Sequence, residues 1–345
     1  MTVFCGCYTA IITPMKPNQE VDYRGLERLI EFQVEQGVSG VVACGTTGES
    51  PTLSWNEHNL VTKRVHEYLD DRATTIAGTG SNSTREMLRA TEQAYDFDIK
   101  AVLLVDPYYN GPSSREIRLE YVEPVAKRFP EVQAIPYIIP GRTGTQLLPQ
   151  DLAILHSQYD NVRAVKEATG NIENMKLTRK LCGADFDILS GDDDMTFYMM
   201  TTPDILASGV VSVASNVFPS TVQRMVQHIN EKRVEEASRL NEALKPMFET
   251  ITVKTQEDTP YGPVLCKARN PLAYKTLMNM LGIPAGPCRP PLGKMTTKGI
   301  KIVLDAARAV YNRSPELFSP LEDFFDVDLN KRLYDEKYWE KLTHD

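Results

Sequence analysis

One lysine in this sequence stands where an amine could act as a nucleophile. Lys166 directly follows the apolar run Val162–Val165 and precedes a turn that contains Gly170. An amine enclosed by apolar groups is poorly hydrated, which favours the neutral form that attacks a carbonyl carbon. Lys166 could therefore form a Schiff base with a keto acid. The alternative interpretation is a lysine that extends into solvent or pairs with Glu167.

Two segments and one further strand end could complete a site of this kind. Tyr137 ends a neighbouring apolar run, and its phenol could move the protons that imine formation requires, although it could equally be a core residue. Thr46 and Thr47 lie in a turn flanked by glycines and could bind a small carboxylate or cap the following helix. Arg142 follows a Pro-Gly turn and could hold a second carboxylate through two hydrogen bonds, whereas an isolated loop arginine is usually solvated.

The acidic residues and the metal-ligating residue types give weaker signals. Asp192–Asp194 are consecutive, and such acids before a helix serve more often as N-cap and dipole partners than as metal ligands. Ser83 and Glu86 have the spacing of a capping box, which gives Glu86 a structural interpretation. The histidines and the six cysteines show no zinc-binding spacing. The sequence therefore predicts no metal site, and it predicts free thiols rather than disulfides.

The elements that must position these residues follow one repeating pattern. A short apolar run, a turn and an amphipathic stretch alternate through the first two thirds of the chain. The apolar runs are Tyr8–Ile12, Gly40–Cys44, Thr74–Gly78, Ala101–Val105, Gln133–Tyr137, Val162–Val165, Asp187–Ser190 and Gly209–Val213. They are apolar on both faces, as in a parallel sheet that is covered by helices. The pattern favours an α/β fold of the (β/α)8 TIM-barrel type, in which catalytic groups lie at the C-terminal ends of the strands. A doubly wound sheet is the alternative, but no Gly-x-Gly-x-x-Gly turn follows the first strand.

A C-terminal helical extension follows the predicted barrel. We expect residues 1–230 to form the catalytic barrel and residues 231–345 to form a helical region with an acidic and aromatic tail. Apolar periodicity predicts helices over 233–248 and 299–311, with a Pro-rich connector between them. The segment 252–269 looks like an insertion. The tail could lie over the barrel or over a partner subunit.

The charge and hydropathy of the chain exclude several classes of partner. The 345 residues include 38 basic and 46 acidic side chains, which give a net charge of −8 and argue against nucleic acid. No stretch approaches the ~18 apolar residues of a membrane span, and the first residues lack the regions of a signal peptide. We therefore expect a cytoplasmic protein that binds no membrane. The plastid stroma is the alternative if a transit peptide has been removed.

Five segments, taken together and in this order, resemble the dihydrodipicolinate synthase family of pyruvate-dependent class I aldolases, which includes N-acetylneuraminate lyase. The segments are Gly45–Ser50, Pro107–Asn110, Arg142–Gly144, Lys166–Asn171 and Ser190–Asp193. The resemblance implies a lyase that condenses pyruvate with L-aspartate 4-semialdehyde through a lysine Schiff base, the first committed step of lysine biosynthesis through diaminopimelate. It also implies a homotetramer that needs no metal or organic cofactor, because the lysine itself is the electron sink.

The resemblance implies a role for each matching residue. Lys166 forms the imine with pyruvate. Thr46, Tyr137 and Tyr109 form a proton relay, with Tyr109 reaching across from a neighbouring subunit. The residues implied in substrate binding are Thr47, the backbone of Val211, Arg142 and Gly191. Among them, Arg142 is the expected clamp for the carboxylate of the semialdehyde.

The resemblance also implies a second site, where L-lysine binds as a feedback inhibitor. The matching residues are Ser50, Pro51, Trp55, His58, Asn82, Glu86 and Tyr108. Glu86 would supply an anion and His58 a polar wall for an amino acid. Because Tyr108 is adjacent to Tyr109, an effector that contacts one tyrosine could bias the other.

One departure and two alternatives qualify this interpretation. Ile138 follows Tyr137 where synthases of this type usually have asparagine, so the polar lining beside the imine is in question. The first alternative is an aldolase that acts on a sugar acid of the N-acetylneuraminate or 2-keto-3-deoxygluconate type. Arg142 and the two threonines favour the synthase, because a short acidic aldehyde needs a carboxylate clamp more than a polyol pocket does. The second alternative, a catalytically silent barrel that binds a small acid or a partner protein, predicts the loss of Lys166 or Tyr137.

Overall fold

Eight parallel strands close into a barrel in the computed structural model, which describes residues 3–344. The strands are β1 (Gly6–Ala10), β2 (Gly40–Ala43), β3 (Thr74–Gly78), β4 (Ala101–Val105), β5 (Gln133–Ile138), β6 (Ala164–Glu167), β7 (Asp187–Ser190) and β8 (Gly209–Ser212). Each strand pairs with the next one along the chain, and β8 closes the ring by pairing Val211 with Tyr8 of β1. The predicted (β/α)8 TIM barrel is confirmed.

Helices surround the barrel and continue beyond it. They are α1 (Tyr23–Glu35), α2 (Trp55–Leu69), α3 (Thr84–Asp96), α4 (Ser114–Glu116), α5 (Glu123–Arg128), α6 (Pro140–Thr143), α7 (Pro149–Gln158), α8 (Ile172–Cys182), α9 (Asp193–Thr201), α10 (Pro219–Asn230), α11 (Val234–Phe248), α12 (Leu272–Leu281), α13 (Thr297–Arg313), α14 (Ser319–Phe325) and α15 (Leu329–Tyr334). A π-helical segment, Ile117–Val122, joins α4 to α5. Helices α11 and α13 confirm the two predicted in the C-terminal region. Among residues 3–344, none of these helices has both the length and the apolar character that crossing a bilayer requires.

The first helix shows how local sequence produces this arrangement. Its apolar residues recur on one face, and Leu26, Leu29 and Ile30 are fully buried against the barrel. Burial of each such side chain contributes about 1.5–3 kcal/mol. The Asp22 carboxylate begins the helix by accepting a hydrogen bond of 3.1 Å from the Gly25 N–H.

Alternation along the strands separates the barrel interior from the layer beneath the helices. Tyr137 belongs to the inner cluster, whereas its neighbour Ile138 is buried in the outer cluster that the helices cover. Because successive side chains of a strand point to opposite faces, Ile138 faces away from the barrel interior. The expectation that Ile138 alters the lining beside the imine is therefore wrong. Ile139 packs against the inner cluster instead.

The segment predicted as an insertion forms a β-hairpin. Strands β9 (Val253–Glu257) and β10 (Val264–Ala268) pair antiparallel, and α12 follows directly. The hairpin is joined to the start of α13, where the Thr255 and Thr296 hydroxyls are 3.3 Å apart. The sequence predicted only a Pro-rich connector in this region, so both the hairpin and α12 are additions to the predicted elements.

The C-terminal tail packs against the barrel of its own chain. Phe318 meets the Phe218 ring edge to face, with 4.9 Å between ring centroids. Phe325 contacts Phe32 of α1 in the same manner at 5.1 Å. Of the two positions left open for the tail, these contacts place it over the body of the molecule.

Candidate active site

Lys166 lies inside the C-terminal mouth of the barrel, next to Tyr137. Strands β5 and β6 pair in a register that sets these two residues side by side. The Lys166 Nζ atom is 4.0 Å from the centre of the Tyr137 ring, and only 6% of the lysine is exposed. The amine is therefore enclosed by protein and lies over the face of a ring whose hydroxyl can carry a proton.

Gly191 makes room for the lysine side chain. A Cβ atom at this position would lie 2.7 Å from the Ala168 Cβ and 3.1 Å from both the Glu167 carbonyl oxygen and the Lys166 Cε. The first distance is shorter than real Cβ contacts, so a larger residue would displace its neighbours. Gly191 thus contributes to the site through its lack of a side chain.

A cavity of about 220 Å³ lies on the Tyr137 side of this pair, and its lining does not include Lys166. The predicted binding residues Thr47, Gly191 and Val211 do not line it either. Thr46, Tyr137 and Arg142 line it, together with the apolar side chains of Leu103 and Ile139. Three of the predicted catalytic or binding residues therefore share one enclosed space. Its mixture of apolar walls with a few polar groups is typical of a small-molecule site.

The turn after β2 is held from the C-terminal region. The Asn270 amide donates a hydrogen bond of 2.9 Å to the Thr47 hydroxyl, which is buried. Two residues later, the Glu49 carboxylate pairs with Lys275 of α12 at 2.7 Å, with side chains 0% and 1% exposed. The Glu49 carboxylate also accepts a hydrogen bond of 2.8 Å from the Arg289 N–H. Three residues beyond the barrel therefore fix the segment predicted to bind pyruvate.

Arg142 reaches the cavity from α6. Its Nη2 donates a 3.1 Å hydrogen bond to the Asn270 carbonyl oxygen. Burial lowers the pKa of Arg142, and the nearby positive charge of Arg269 acts in the same direction, whereas Tyr137 and Asp192 oppose them. Arg142 is exposed as a residue, but it lines the cavity with free donors, and a guanidinium in that position is suited to binding a carboxylate.

Asp192 has a different environment from the one that the sequence predicted. It occupies the N-cap position of α9, but its side chain makes no capping hydrogen bond, so that part of the interpretation is wrong. Burial raises the pKa of Asp192 to about 6, with a further increase from the charge of Asp194, whereas Lys166 opposes the shift. Asp192 therefore belongs to the electrostatic surroundings of the lysine. Among residues 3–344, no group of three or more His, Cys, Asp or Glu side chains could hold a metal ion.

The next acid, Asp193, organises the end of β8. Its carboxylate accepts hydrogen bonds from the Val213 N–H at 2.9 Å, from the Ala214 N–H at 3.2 Å and from the Ser212 hydroxyl. These contacts fix the backbone that follows Val211. Val211 itself is fully buried and belongs to the inner cluster. Asp193 is thus a buried anchor for a strand end rather than a helix cap.

The loop after β4 carries two tyrosines in contrasting positions. Tyr108 lines the cavity, whereas Tyr109 is 91% exposed and has a φ of +79°. Within a single chain, Tyr109 therefore does not join the other predicted relay residues. Asp106 anchors the loop by accepting a 3.0 Å hydrogen bond from the Leu147 N–H, and burial raises the pKa of Asp106 to about 8.

A second cavity, of about 180 Å³, adjoins the first. All seven residues predicted for the effector site line it, namely Ser50, Pro51, Trp55, His58, Asn82, Glu86 and Tyr108. The capping box predicted for Glu86 is wrong, because the Ser83 side chain makes no capping hydrogen bond. The Glu86 carboxylate instead accepts a hydrogen bond of 2.9 Å from the Ser81 hydroxyl.

His58 forms a wall of the second cavity in its neutral form. Its Nε2 is 2.9 Å from the Gly78 carbonyl oxygen, so Nε2 carries the hydrogen and Nδ1 is an acceptor. Burial lowers the pKa of His58, although the bond to Gly78 opposes this. The Trp55 ring packs beside it, with ring centroids 5.1 Å apart. The cavity thus offers a carboxylate and an aromatic surface, with the His58 ring as part of its wall.

The chain was compared with known proteins. Residues 3–309 match the model of the dihydrodipicolinate synthetase family. The 4-hydroxy-tetrahydrodipicolinate synthase of Methanococcus maripaludis strain S2 is 40% identical over 290 residues, which are 84% of this chain and 93% of that protein. A lysine-bound structure of the synthase from Cyanidioschyzon merolae superimposes with a TM-score of 0.81 at 32% identity, over 90% of this chain and 99% of the other. A structure of a synthase variant described as monomeric gives 0.79 at 30% identity, over 89% and 97% of the two chains.

Proposed function

The chain belongs to the dihydrodipicolinate synthetase family, and we propose that it acts as a 4-hydroxy-tetrahydrodipicolinate synthase in which Lys166 is the nucleophile. The enzyme is a lyase of the class I aldolase type that condenses pyruvate with L-aspartate 4-semialdehyde. The observation that carries the assignment of the nucleophile is the enclosed Lys166 amine, 4.0 Å from the Tyr137 ring.

The first half of the reaction forms the imine. The Lys166 amine adds to the keto carbon of pyruvate and gives a carbinolamine. Loss of water then forms the C=N bond, and Tyr137 supplies the proton with which the oxygen departs. The Thr47 hydroxyl and the backbone at Val211 hold the pyruvate carboxylate. Thr46 lines the same cavity as Tyr137 and extends the proton path from it.

The second half forms the new carbon–carbon bond. Tyr137, left as the phenolate by the first half, takes a methyl proton and converts the protonated imine to an enamine. The enamine carbon attacks the aldehyde of the second substrate, Tyr137 returns the proton to the aldehyde oxygen, and the imine on Lys166 forms again. The amine of that substrate then displaces Lys166 and closes the heterocycle. The imine nitrogen is the electron sink throughout, so we propose that no metal or organic cofactor takes part. Unchanged activity after dialysis against a chelator would support this.

Arg142 favours a short acidic aldehyde over a sugar acid. Its guanidinium lies in the cavity and holds only the Asn270 carbonyl among residues 3–344. Leu103 and Ile139 make part of the wall apolar, and that part offers no hydrogen bonds to a polyol. Parallel assays with L-aspartate 4-semialdehyde and with N-acetylneuraminate distinguish the two activities, and turnover of only the latter would contradict the synthase.

Borohydride reduction in the presence of pyruvate tests the nucleophile. The expected product is a stable adduct on the peptide that contains Lys166, located by mass spectrometry. Lys166→Ala should abolish trapping without loss of folded structure. Lys180→Ala, which removes an exposed lysine from α8, is the matched control and should trap normally. An adduct on another lysine would refute the assignment.

We also propose that Tyr109 acts across a subunit interface in a homotetramer. Its exposure and its strained φ support this, because a partner surface would explain both. Lys166→Ala and Tyr109→Phe should each be inactive alone. Co-expressed, they should form mixed oligomers in which some sites combine an intact Lys166 with an intact Tyr109. Absence of recovered activity in mixed oligomers, or a monomeric mass by light scattering, would contradict the proposal.

The second cavity supports L-lysine as an effector. Glu86 can accept from an ammonium group of lysine, and the His58 ring forms part of the wall against which the ligand packs. A hydrogen bond to a charged group is worth about 1.5–3 kcal/mol, so Glu86→Gln should weaken inhibition roughly tenfold or more. Glu92→Gln, on the exposed side of the same helix, is the control. A velocity that stays constant up to millimolar lysine would contradict the proposal.

A further inference from the structure

A second arginine lies beside Arg142. Arg269 follows the last residue of β10, and its Nη1 donates a 3.5 Å hydrogen bond to the carbonyl oxygen of Gly141, the residue before Arg142. Its positive charge is close enough to contribute to the lowered pKa of Arg142, after burial, which is the main cause. Arg269 therefore lies next to the turn that carries Arg142, outside the residues that line the cavity.

Neither guanidinium has a carboxylate partner. Among residues 3–344, Arg142 and Arg269 form no ion pair within 4.0 Å, and each donates only to a backbone carbonyl. Adjacent like charges repel each other unless an anion lies between them. Such an arrangement matches the needs of a carboxylate ligand, which can accept from both groups.

The hairpin fixes the position of Arg269. The next residue, Asn270, is buried and makes two hydrogen bonds. Its side-chain amide donates to the Thr47 hydroxyl, and its backbone carbonyl accepts from Arg142. On the other side, Lys298 of α13 donates a 2.6 Å hydrogen bond to the Gln256 carbonyl of β9. Arg269 thus stands on an anchored segment although its own side chain is exposed.

We infer that Arg142 and Arg269 together bind the carboxylate of the aldehyde substrate, with Arg142 as the inner contact and Arg269 as the outer one. This rests on the proposed function. The paired charges select a short, anionic aldehyde over a neutral or polyol one, and they attract it from solution. Because Arg269 is exposed, its contribution is screened by salt.

Steady-state kinetics at low ionic strength test the pair. Arg269→Gln should raise KM for L-aspartate 4-semialdehyde about two- to fivefold, the range expected for an exposed ion pair. KM for pyruvate and the rate of borohydride trapping on Lys166 should not change. Arg269→Lys should recover part of the effect. The control is Lys267→Gln, which removes another exposed positive charge, two residues earlier on β10.

A binding measurement separates this inference from the proposed function. The ligand is 4-oxobutanoate, which has the same carboxylate and aldehyde but no amine, titrated by calorimetry into enzyme already reduced with pyruvate and borohydride. Weaker binding in Arg269→Gln by the same factor supports the pair even if turnover is absent. Equal binding in wild type and variant, or an equal loss in Lys267→Gln, overturns it. If wild-type enzyme traps pyruvate but does not consume the semialdehyde, the proposed function is wrong. The binding comparison between wild type and Arg269→Gln still tests the arginine pair in that case.

Discussion

Replacement of Gly191 by alanine should lower both the stability of the fold and the rate at which Lys166 reacts with pyruvate, and the two losses can be measured separately. The added Cβ would lie 2.7 Å from the Ala168 Cβ and 3.1 Å from the Lys166 Cε. One surplus methyl group in a packed interior costs about 1–3 kcal/mol. The Lys166 side chain must also shift by a few tenths of an ångström, and that shift moves its amine away from the position in which it attacks pyruvate. Because a misplacement of about 1 Å can slow a reaction by about 10²-fold, this smaller shift should slow trapping by less than that factor.

Two readouts are needed for this variant. Urea unfolding gives the loss of stability, and the rate of borohydride trapping with pyruvate gives the loss of imine formation. The second variant, Gly191→Ala/Ala168→Gly, removes the shortest contact but leaves the contact with Lys166. It should regain part of the stability without regaining the trapping rate. Gly141→Ala is the control, because a Cβ there would meet no atom within 4 Å.

The double variant decides whether this reasoning is correct. If it restores the trapping rate together with the stability, the defect came from general strain at Ala168 and not from displacement of Lys166. If Gly191→Ala traps pyruvate at the wild-type rate, the close contact does not position the amine at all. Either result would remove Gly191 from the description of the site.

Three further perturbations test the framework around the site. Lys275→Met leaves the Glu49 carboxylate buried without its cation and should cost about 3–5 kcal/mol in urea unfolding, with a raised KM for pyruvate; an unchanged unfolding midpoint would contradict this. Burial raises the pKa of Asp106 to about 8 from its unfolded value near 4, so its stabilising contribution is complete below about pH 4 and is lost as the pH rises through 8. The free energy of unfolding of Asp106→Asn minus that of wild type should therefore rise between about pH 4 and pH 8, measured by unfolding at several pH values. A difference that falls as the pH rises would contradict this. Asn270→Ala removes the hydrogen bond to Thr47, which is worth about 1 kcal/mol, and should raise KM for pyruvate about fivefold. The dependence of kcat on pH should change little, because Asn270 transfers no proton.

The barrel was predictable because its elements are local and repetitive. Strands β3, β4 and β7 begin and end at the predicted residues, since each is a short run that is apolar on both faces. Helix α12 was not predictable by periodicity. Nine of its ten residues are buried, so the helix has no solvent-facing polar side to produce a 3.6-residue pattern. The β9–β10 hairpin was missed because its strands are largely exposed and short.

The site was predictable where it lies at strand ends. Lys166 and Tyr137 come together because parallel strands of a barrel finish at one mouth, which the order of the apolar runs implies. Asn270 and Lys275 contact residues more than 220 positions away, at separations of 223 and 226, and no local pattern indicates such contacts. The role of Glu86 was misjudged because a serine in the preceding loop competes for its carboxylate.

The ties between the turn after β2 and the region beyond the barrel limit how this protein can be recombined with its relatives. A chimera joined near residue 230 would take the partners of Glu49 and Glu57 from a different parent, and the Arg289–Glu57 pair at 2.6 Å would have to be matched as well. The barrel supplies the reacting groups, but it does not form an exchangeable module. Laboratory shuffling of this chain should therefore reject single crossovers that separate α12 from the turn after β2, including crossovers within the hairpin loop, unless both parents carry matching residues at these contacts.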